Sequence, residues 1–128
     1  MKQTCKFLIE LDTESDQAIY LQLRDRIICG IASSEIAEGD CLPSVRCLAD
    51  QIGVNMHTVN KAYALLAEEG YLAVERCRGA VVVRNADREK ALAALREKLR
   101  VAIAEAVCAD ISGEEVCRIV RELYGQFE

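Results

Sequence analysis

With 128 residues, 52% of them hydrophobic and 29% charged, the chain can bury one small core and carry an appendage. Two phenylalanines, four tyrosines and no tryptophan argue against stacking on unpaired bases, and no apolar run approaches the ~20 residues of a membrane span. A net charge of −5 argues against a strongly basic nucleic-acid binder, but it is uneven: residues 1–40 hold 4 basic and 8 acidic side chains, residues 41–84 hold 5 and 4, and residues 85–128 hold 7 and 9.

The N-terminus lacks a signal-peptide pattern, so a cytoplasmic location and no membrane association are expected. Phe7-Leu8-Ile9, among alternating charges, reads as an extended arm or edge strand. Asp16 is expected to cap a helix from about Gln17 to Ser33, because Tyr20, Leu23, Ile27, Ile28 and Ile31 recur at helical spacing. Gln22, Arg24, Asp25 and Arg26 then fall largely on its wet side, and Glu38-Gly39-Asp40 makes a turn. Pro43 keeps Leu42 extended, and Ser44 caps a second helix, Val45 to Ile52, with Val45, Leu48, Ala49 and Ile52 as its buried stripe. Arg46 lies in the first turn, where a cation opposes the helix dipole. Its partner is then external, a phosphate held together with backbone N–H groups, unless it is simply solvated or paired with Asp50.

Gly53-Val54 makes a tight turn into a third helix, which Asn55 caps and which runs to Glu69, with Gly70 where a left-handed C-terminal cap is expected. At about 100° per residue, Val59, Ala62, Tyr63 and Leu66 gather on one side and His57, Asn60, Lys61 and Ala64 on the other. The second face is polar, compact and free of carboxylates, which suits entry into a DNA major groove. Tyr71 to Glu75 and Ala80 to Val83 are β-prone runs joined by Arg76-Cys77-Arg78-Gly79, a hairpin with two arginines at its tip. Helix plus basic hairpin outlines a winged helix-turn-helix; an ordinary amphipathic helix packed beside a hairpin has the same pattern.

Past the Asn85-Ala86 junction, Asp87 caps a long helix from Arg88 to about Ala109 whose apolar positions are Leu92, Leu95, Leu99, Ala102, Ile103 and Ala106. Ser112 and Glu115 form a capping box for a last helix carrying Val116, Ile119, Val120, Leu123 and Phe127. Two helices cannot close a core alone, so these stripes are expected to pack on a second copy, or else back on the winged domain. The expected fold is mainly α with a small β-hairpin: a winged helix-turn-helix domain over residues 1–84 and a C-terminal two-helix dimerisation segment over 85–128.

Seven cysteines (Cys5, Cys29, Cys41, Cys47, Cys77, Cys108, Cys117) include no C-x-x-C pair, and the chain has a single histidine, so no metal site is expected. Most are expected to be small buried side chains; Cys77, beside two arginines, is the thiol expected to be exposed and activated. Neither a catalytic constellation nor a glycine-rich phosphate loop is present, so no enzyme activity and no cofactor are expected.

Leu42-Pro43-Ser44-x-Arg46-x-Leu48-Ala49, then Gly53-Val54-Asn55-x-x-Thr58-Val59-x-Lys61-Ala62-Tyr63, then Leu66-x-x-Glu69-Gly70-Tyr71-Leu72 and Arg78-Gly79 resemble the GntR family of bacterial transcription regulators. Ile19-Tyr20-x-Gln22-Leu23 and the two-helix tail resemble its YtrA-like branch. The resemblance implies a homodimer on a roughly palindromic double-stranded DNA operator, usually as a repressor. By position it implies DNA contacts from Arg46, from Asn55, His57, Thr58, Asn60 and Lys61 on the recognition helix, and from Arg76, Arg78 and Gly79 in the wing. Met56 stands where many relatives carry Arg or Pro and Asn60 where a basic residue is frequent, so this chain puts fewer cations into the groove; Cys77 stands where a second wing glycine is common.

Within that scheme Asn60 is the candidate for a bidentate pair with adenine, His57 for a base acceptor or a phosphate, and Thr58 for a phosphate oxygen or a thymine methyl. Arg46, Lys61, Arg76 and Arg78 are candidates for the DNA backbone. Asn55 has two competing tasks, capping and reading. Leu92, Leu95, Leu99, Ile103, Val116, Ile119, Val120 and Leu123 are the dimerisation candidates. The tail is too short to enclose a separate effector pocket, and no small-molecule effector is identifiable. Two alternatives stay open: a thiol- or ligand-responsive sensor switched at Cys77 or the dimer interface, and a winged helix used only for protein contacts.

Overall fold

The structure, a computed structural model, describes residues 18–75, 79–84 and 87–127. In chain order the elements are α1 (Ile19–Ala32), α2 (Val45–Ile52), α3 (Met56–Glu68), β1 (Leu72–Glu75), β2 (Gly79–Val82), α4 (Arg88–Cys108) and α5 (Gly113–Gly125). They fall into two units, Met1–Asn85 and Ala86–Glu128. The expected arm at Phe7-Leu8-Ile9, the Asp16 cap and the Asn85-Ala86 junction lie outside the described residues. The described N-cap position of α1 is Ala18, which has no side-chain cap bond.

Helix limits follow their caps. Ser44 Oγ accepts from the Cys47 N–H at 3.1 Å, Asn55 Oδ1 from the His57 N–H at 2.7 Å and Asp87 Oδ1 from the Lys90 N–H at 3.0 Å. The box at α5 is reciprocal: Ser112 Oγ accepts from the Glu115 N–H, and Glu115 Oε1 from the Ser112 N–H. Between α2 and α3, Gly53 takes a φ of +73°, and the N–H groups of Gly53 and Val54 both donate to the Ala49 carbonyl. A side chain at Gly53 would be strained there, so the turn is a glycine position.

In the first unit α1 and α2 pack on α3, whose far end meets β1. The innermost side chains are Leu23 and Ile27 of α1, Ile36, Val59 and Leu66 of α3, and Val82 of β2. Gly30 lets Ile36 close on α1, since a Cβ there would sit 2.9 Å from Ile36 Cδ1. β1 and β2 are antiparallel, pairing Leu72 with Val82 and Glu75 with Gly79, one residue away from the sequence expectation at each strand start.

A third segment joins this hairpin. Cys41 bridges to Val81, the Leu42 N–H donates to the Ala80 carbonyl at 2.9 Å, and the Val82 N–H donates to the Asp40 carbonyl at 2.8 Å. The stretch that the sequence presents as a turn therefore also seats β2 beside the start of α2.

Two expectations are corrected. Arg24 is not on the wet side: its side chain keeps only 15% of its surface, and Arg24 Nε donates to Glu69 Oε1 at 2.8 Å, tying α1 to the end of α3. Helical phase placed Arg24 outward on an isolated α1, but the end of α3 packs over that edge. Nor are the described cysteines core residues: Cys41 is half-buried, Cys29 and Cys47 are exposed because each falls outside its helix's buried stripe, and Cys108 and Cys117 are exposed on helices that bury no residue.

In the second unit, α4 and α5 contain no buried residue. Leu92, Leu95, Leu99 and Ile103 keep 41–48% of their surface, as do Ile119, Val120 and Leu123, while Val116 is half-buried. No helix of the described residues is long and apolar enough to cross a membrane.

Candidate nucleic-acid interface

The site is built on α3, which its neighbours hold from three sides. Its buried face, Val59, Ala62, Tyr63 and Leu66, lies in the core. Tyr63 Oη leaves that core to donate to the Pro43 carbonyl at 2.7 Å, fixing the start of α2 against α3. At the C-terminal end Glu69 meets Arg24, which also donates to Asp25 at 2.6 Å. Burial lowers the pKa of Arg24, but the hydrogen bonds to Glu69 and Asp25, with the charges of both, outweigh it and hold the guanidinium above its ordinary range.

The opposite face is open. Met56, His57, Asn60, Lys61 and Ala64 are exposed, and Thr58 is half-buried. No acidic residue lies in the first turn; the carboxylates of α3 wait until Glu68 and its cap Glu69. A groove of about 500 Å³ runs between the Asn60–Ala64–Ala67 edge of α3, the Pro43–Val45 start of α2, and Val74 with Ala80 in the hairpin.

The sequence-derived candidates sort by position. Asn60 and His57 stand on the open face. Asn55 is the cap, its Oδ1 accepting from the His57 N–H, which leaves its amide N–H groups and the second lone pair of Oδ1 for a ligand. Arg46 is exposed in the first turn of α2 and pairs neither with Asp50 nor with any other carboxylate among the described residues. Ser44 takes up the N–H groups of Cys47 and Leu48, which leaves those of Val45 and Arg46 without a partner among the described residues. Such a pair beside a guanidinium is a ready anion site. Gly79, expected in the wing loop, is the first residue of β2, with a φ of +75°. Arg76, Cys77 and Arg78 lie outside the described residues.

Lys61, the candidate backbone contact of α3, is exposed and also meets α1. Its Nζ lies over the Tyr20 ring of α1, 4.2 Å from the centroid. Sequence reasoning placed Tyr20 in the apolar stripe of α1 but gave it no contact with Lys61, and it missed Arg24 as the link from α1 to the end of α3. Among the described residues no group of His, Cys, Asp and Glu is arranged to hold a metal ion.

Comparison with known proteins agrees with this geometry. The profile described as "Bacterial regulatory proteins, gntR family" matches residues 16–82. The chain is 32% identical over 119 residues to the HTH-type transcriptional repressor YtrA of Bacillus subtilis, covering 91% of this chain and 92% of that protein. Among solved structures it is similar to a Listeria monocytogenes protein described as a transcriptional antiterminator (28% identity, TM-score 0.83, 91% of this chain and 90% of that one). It is also similar to YtrA from Sulfolobus acidocaldarius, described as a GntR-family transcription factor (43% identity, TM-score 0.64, 78% of this chain and 97% of that one).

Proposed function

Because the chain belongs to the gntR family of bacterial regulatory proteins, within its YtrA-like branch, we propose that it is a cytoplasmic repressor. In this reading it binds as a homodimer that sets one α3 into each of two successive major grooves of a palindromic operator. Its general class, a DNA-binding transcription regulator with a winged helix, is that of the family. The observation that carries the finer reading is the open N-terminal half of α3: exposed, free of carboxylate, and anchored behind by Tyr63, Arg24 and the core. Exposed apolar stripes on α4 and α5 support the dimer, since a helix pair with no buried residue needs a partner surface. The name of the Bacillus relative supports repression.

In this reading His57 and Asn60 face the bases, with Asn60 matched to adenine. Thr58 and the Asn55 amide N–H groups lie near the phosphates. Arg46, with the Val45 and Arg46 amides, takes a backbone phosphate, as do Arg76 and Arg78 of the wing, with Gly79 opening the strand that supports them. Leu92, Leu95, Leu99, Ile103, Val116, Ile119, Val120 and Leu123 form the dimer contact.

Selection from random duplexes with the purified full chain tests the proposal. Two inverted half-sites about one helical turn apart are expected. A single unrepeated half-site would overturn the dimeric arrangement, and no enrichment even at low salt would overturn DNA reading. A reporter behind the selected site should rise in expression when the protein is removed; a fall would reverse the sign of regulation.

A further inference from the structure

The reading above leaves open which bases α3 recognises, and its exposed face narrows that choice. Among the described residues of α1, α2 and α3, Met56 is the one large apolar side chain left exposed, at 40%. It occupies the first position of α3, and Asn60 and Ala64 follow it at one-turn intervals on the same side. Residues at the start of a recognition helix are those that reach base edges, so this row of thioether, amide and methyl is what the groove floor would meet.

The row has no cation. His57 stands beside it, and the first lysine or arginine of α3 is Lys61, whose ammonium lies over the Tyr20 ring. Guanine presents two acceptors in the major groove, N7 and O6, whose usual partner is a bidentate arginine or lysine. Adenine presents one acceptor and one donor, which match the amide of Asn60, and thymine presents a 5-methyl group, whose match is apolar. Ala64, small and exposed on the same side, lets the helix approach the base edges closely.

We infer that α3 reads an A·T-containing half-site in which Met56 closes on the 5-methyl group of a thymine, one turn from the adenine paired with Asn60. Met56 is then a specificity-determining residue that recognises a methyl group. This rests on α3 entering the major groove, as proposed above.

The test begins from the duplex recovered by selection and replaces each thymine in turn with deoxyuridine, which removes only the methyl group. Affinities are measured for the wild type, Met56→Ala and Met56→Leu. One thymine per half-site should show a loss of about fourfold for the wild type, and about fifteenfold when both half-sites are changed, the size expected for burying one methyl group each. Met56→Ala should be indifferent to the same replacement, while Met56→Leu, still apolar, should keep the sensitivity. Methyl-insensitive binding at every thymine, or an equal loss in Met56→Ala, overturns the inference and leaves the operator reading intact. Failure to recover any duplex strikes the operator reading instead.

Discussion

The ammonium of Lys61 lies 4.2 Å from the centre of the Tyr20 ring, so the first cation of α3 is held back against α1. An exposed cation–π contact of this kind contributes about 0.5–1 kcal/mol. A double-mutant cycle between Tyr20→Leu and Lys61→Met, read by thermal or denaturant unfolding, should return a coupling energy of that size. Zero coupling would mean that the two side chains merely pass each other.

The same contact separates two kinds of basic residue. Arg46, without a carboxylate partner among the described residues, is expected to lose one counterion-releasing phosphate contact as Arg46→Met, lowering the salt slope of operator binding by about 1. Lys61→Met should leave that slope nearly unchanged while weakening binding modestly through misplacement of α3. Equal slope changes in the two variants would return Lys61 to the DNA backbone.

Arg24 and Glu69 lock the far end of the reading helix. Arg24→Met should destabilise the first unit by about 1–2 kcal/mol, at the low end for a charged hydrogen bond because a third of the Glu69 side chain still meets solvent. The folded-state pKa of Arg24 is raised, so its contribution is complete below its unfolded-state value and is lost only as pH climbs through the folded-state value. Both lie at the strongly alkaline extreme. The difference in stability between wild type and Arg24→Met should therefore stay constant from neutral into moderately alkaline pH; a difference that shrinks there would contradict the assignment.

Asn55 caps α3 through its Oδ1. Asn55→Ala should cost about 1 kcal/mol, and Asn55→Ser, which keeps a capping oxygen, should restore most of it. If capping is its main contribution to binding, operator affinity recovers in Asn55→Ser along with the melting temperature. Recovered stability with lost affinity would show the amide acting on DNA.

The tail is tested at Leu99, mid-stripe on α4 and 41% exposed in the single chain. Leu99→Glu places a charge in the proposed dimer contact. It should shift the protein to monomer in sedimentation equilibrium and cut affinity for the two-half-site duplex by about tenfold or more, while the single half-site is bound as before. A variant that remains dimeric would place the contact elsewhere.

Much of this was readable in one dimension. Ser44, Asn55, Asp87 and Ser112 cap the helices that their sequence positions announce, because capping involves a side chain and an N–H two or three residues away. The apolar stripe of α3 and its open opposite face follow from helical phase alone, and the core residues Val59, Ala62, Tyr63 and Leu66 are those the spacing predicts. Phase failed where a distant element arrives over an edge, as Glu69 does at Arg24. Composition misplaced the thiols of Cys29 and Cys47: the average cysteine is buried, but the face of the particular helix decides.

The order of residues by itself determined which segments are helices, where α2 to α5 begin, and that the N-terminal half of α3 has a polar face without carboxylates. Those properties depend on interactions within one or two helical turns. Only the folded chain decided that Lys61 rests on Tyr20, that Arg24 reaches Glu69, and that the Asp40–Leu42 stretch pairs with β2. Each of these joins groups far apart along the chain, brought together by burial of a shared core that no local pattern of residues encodes.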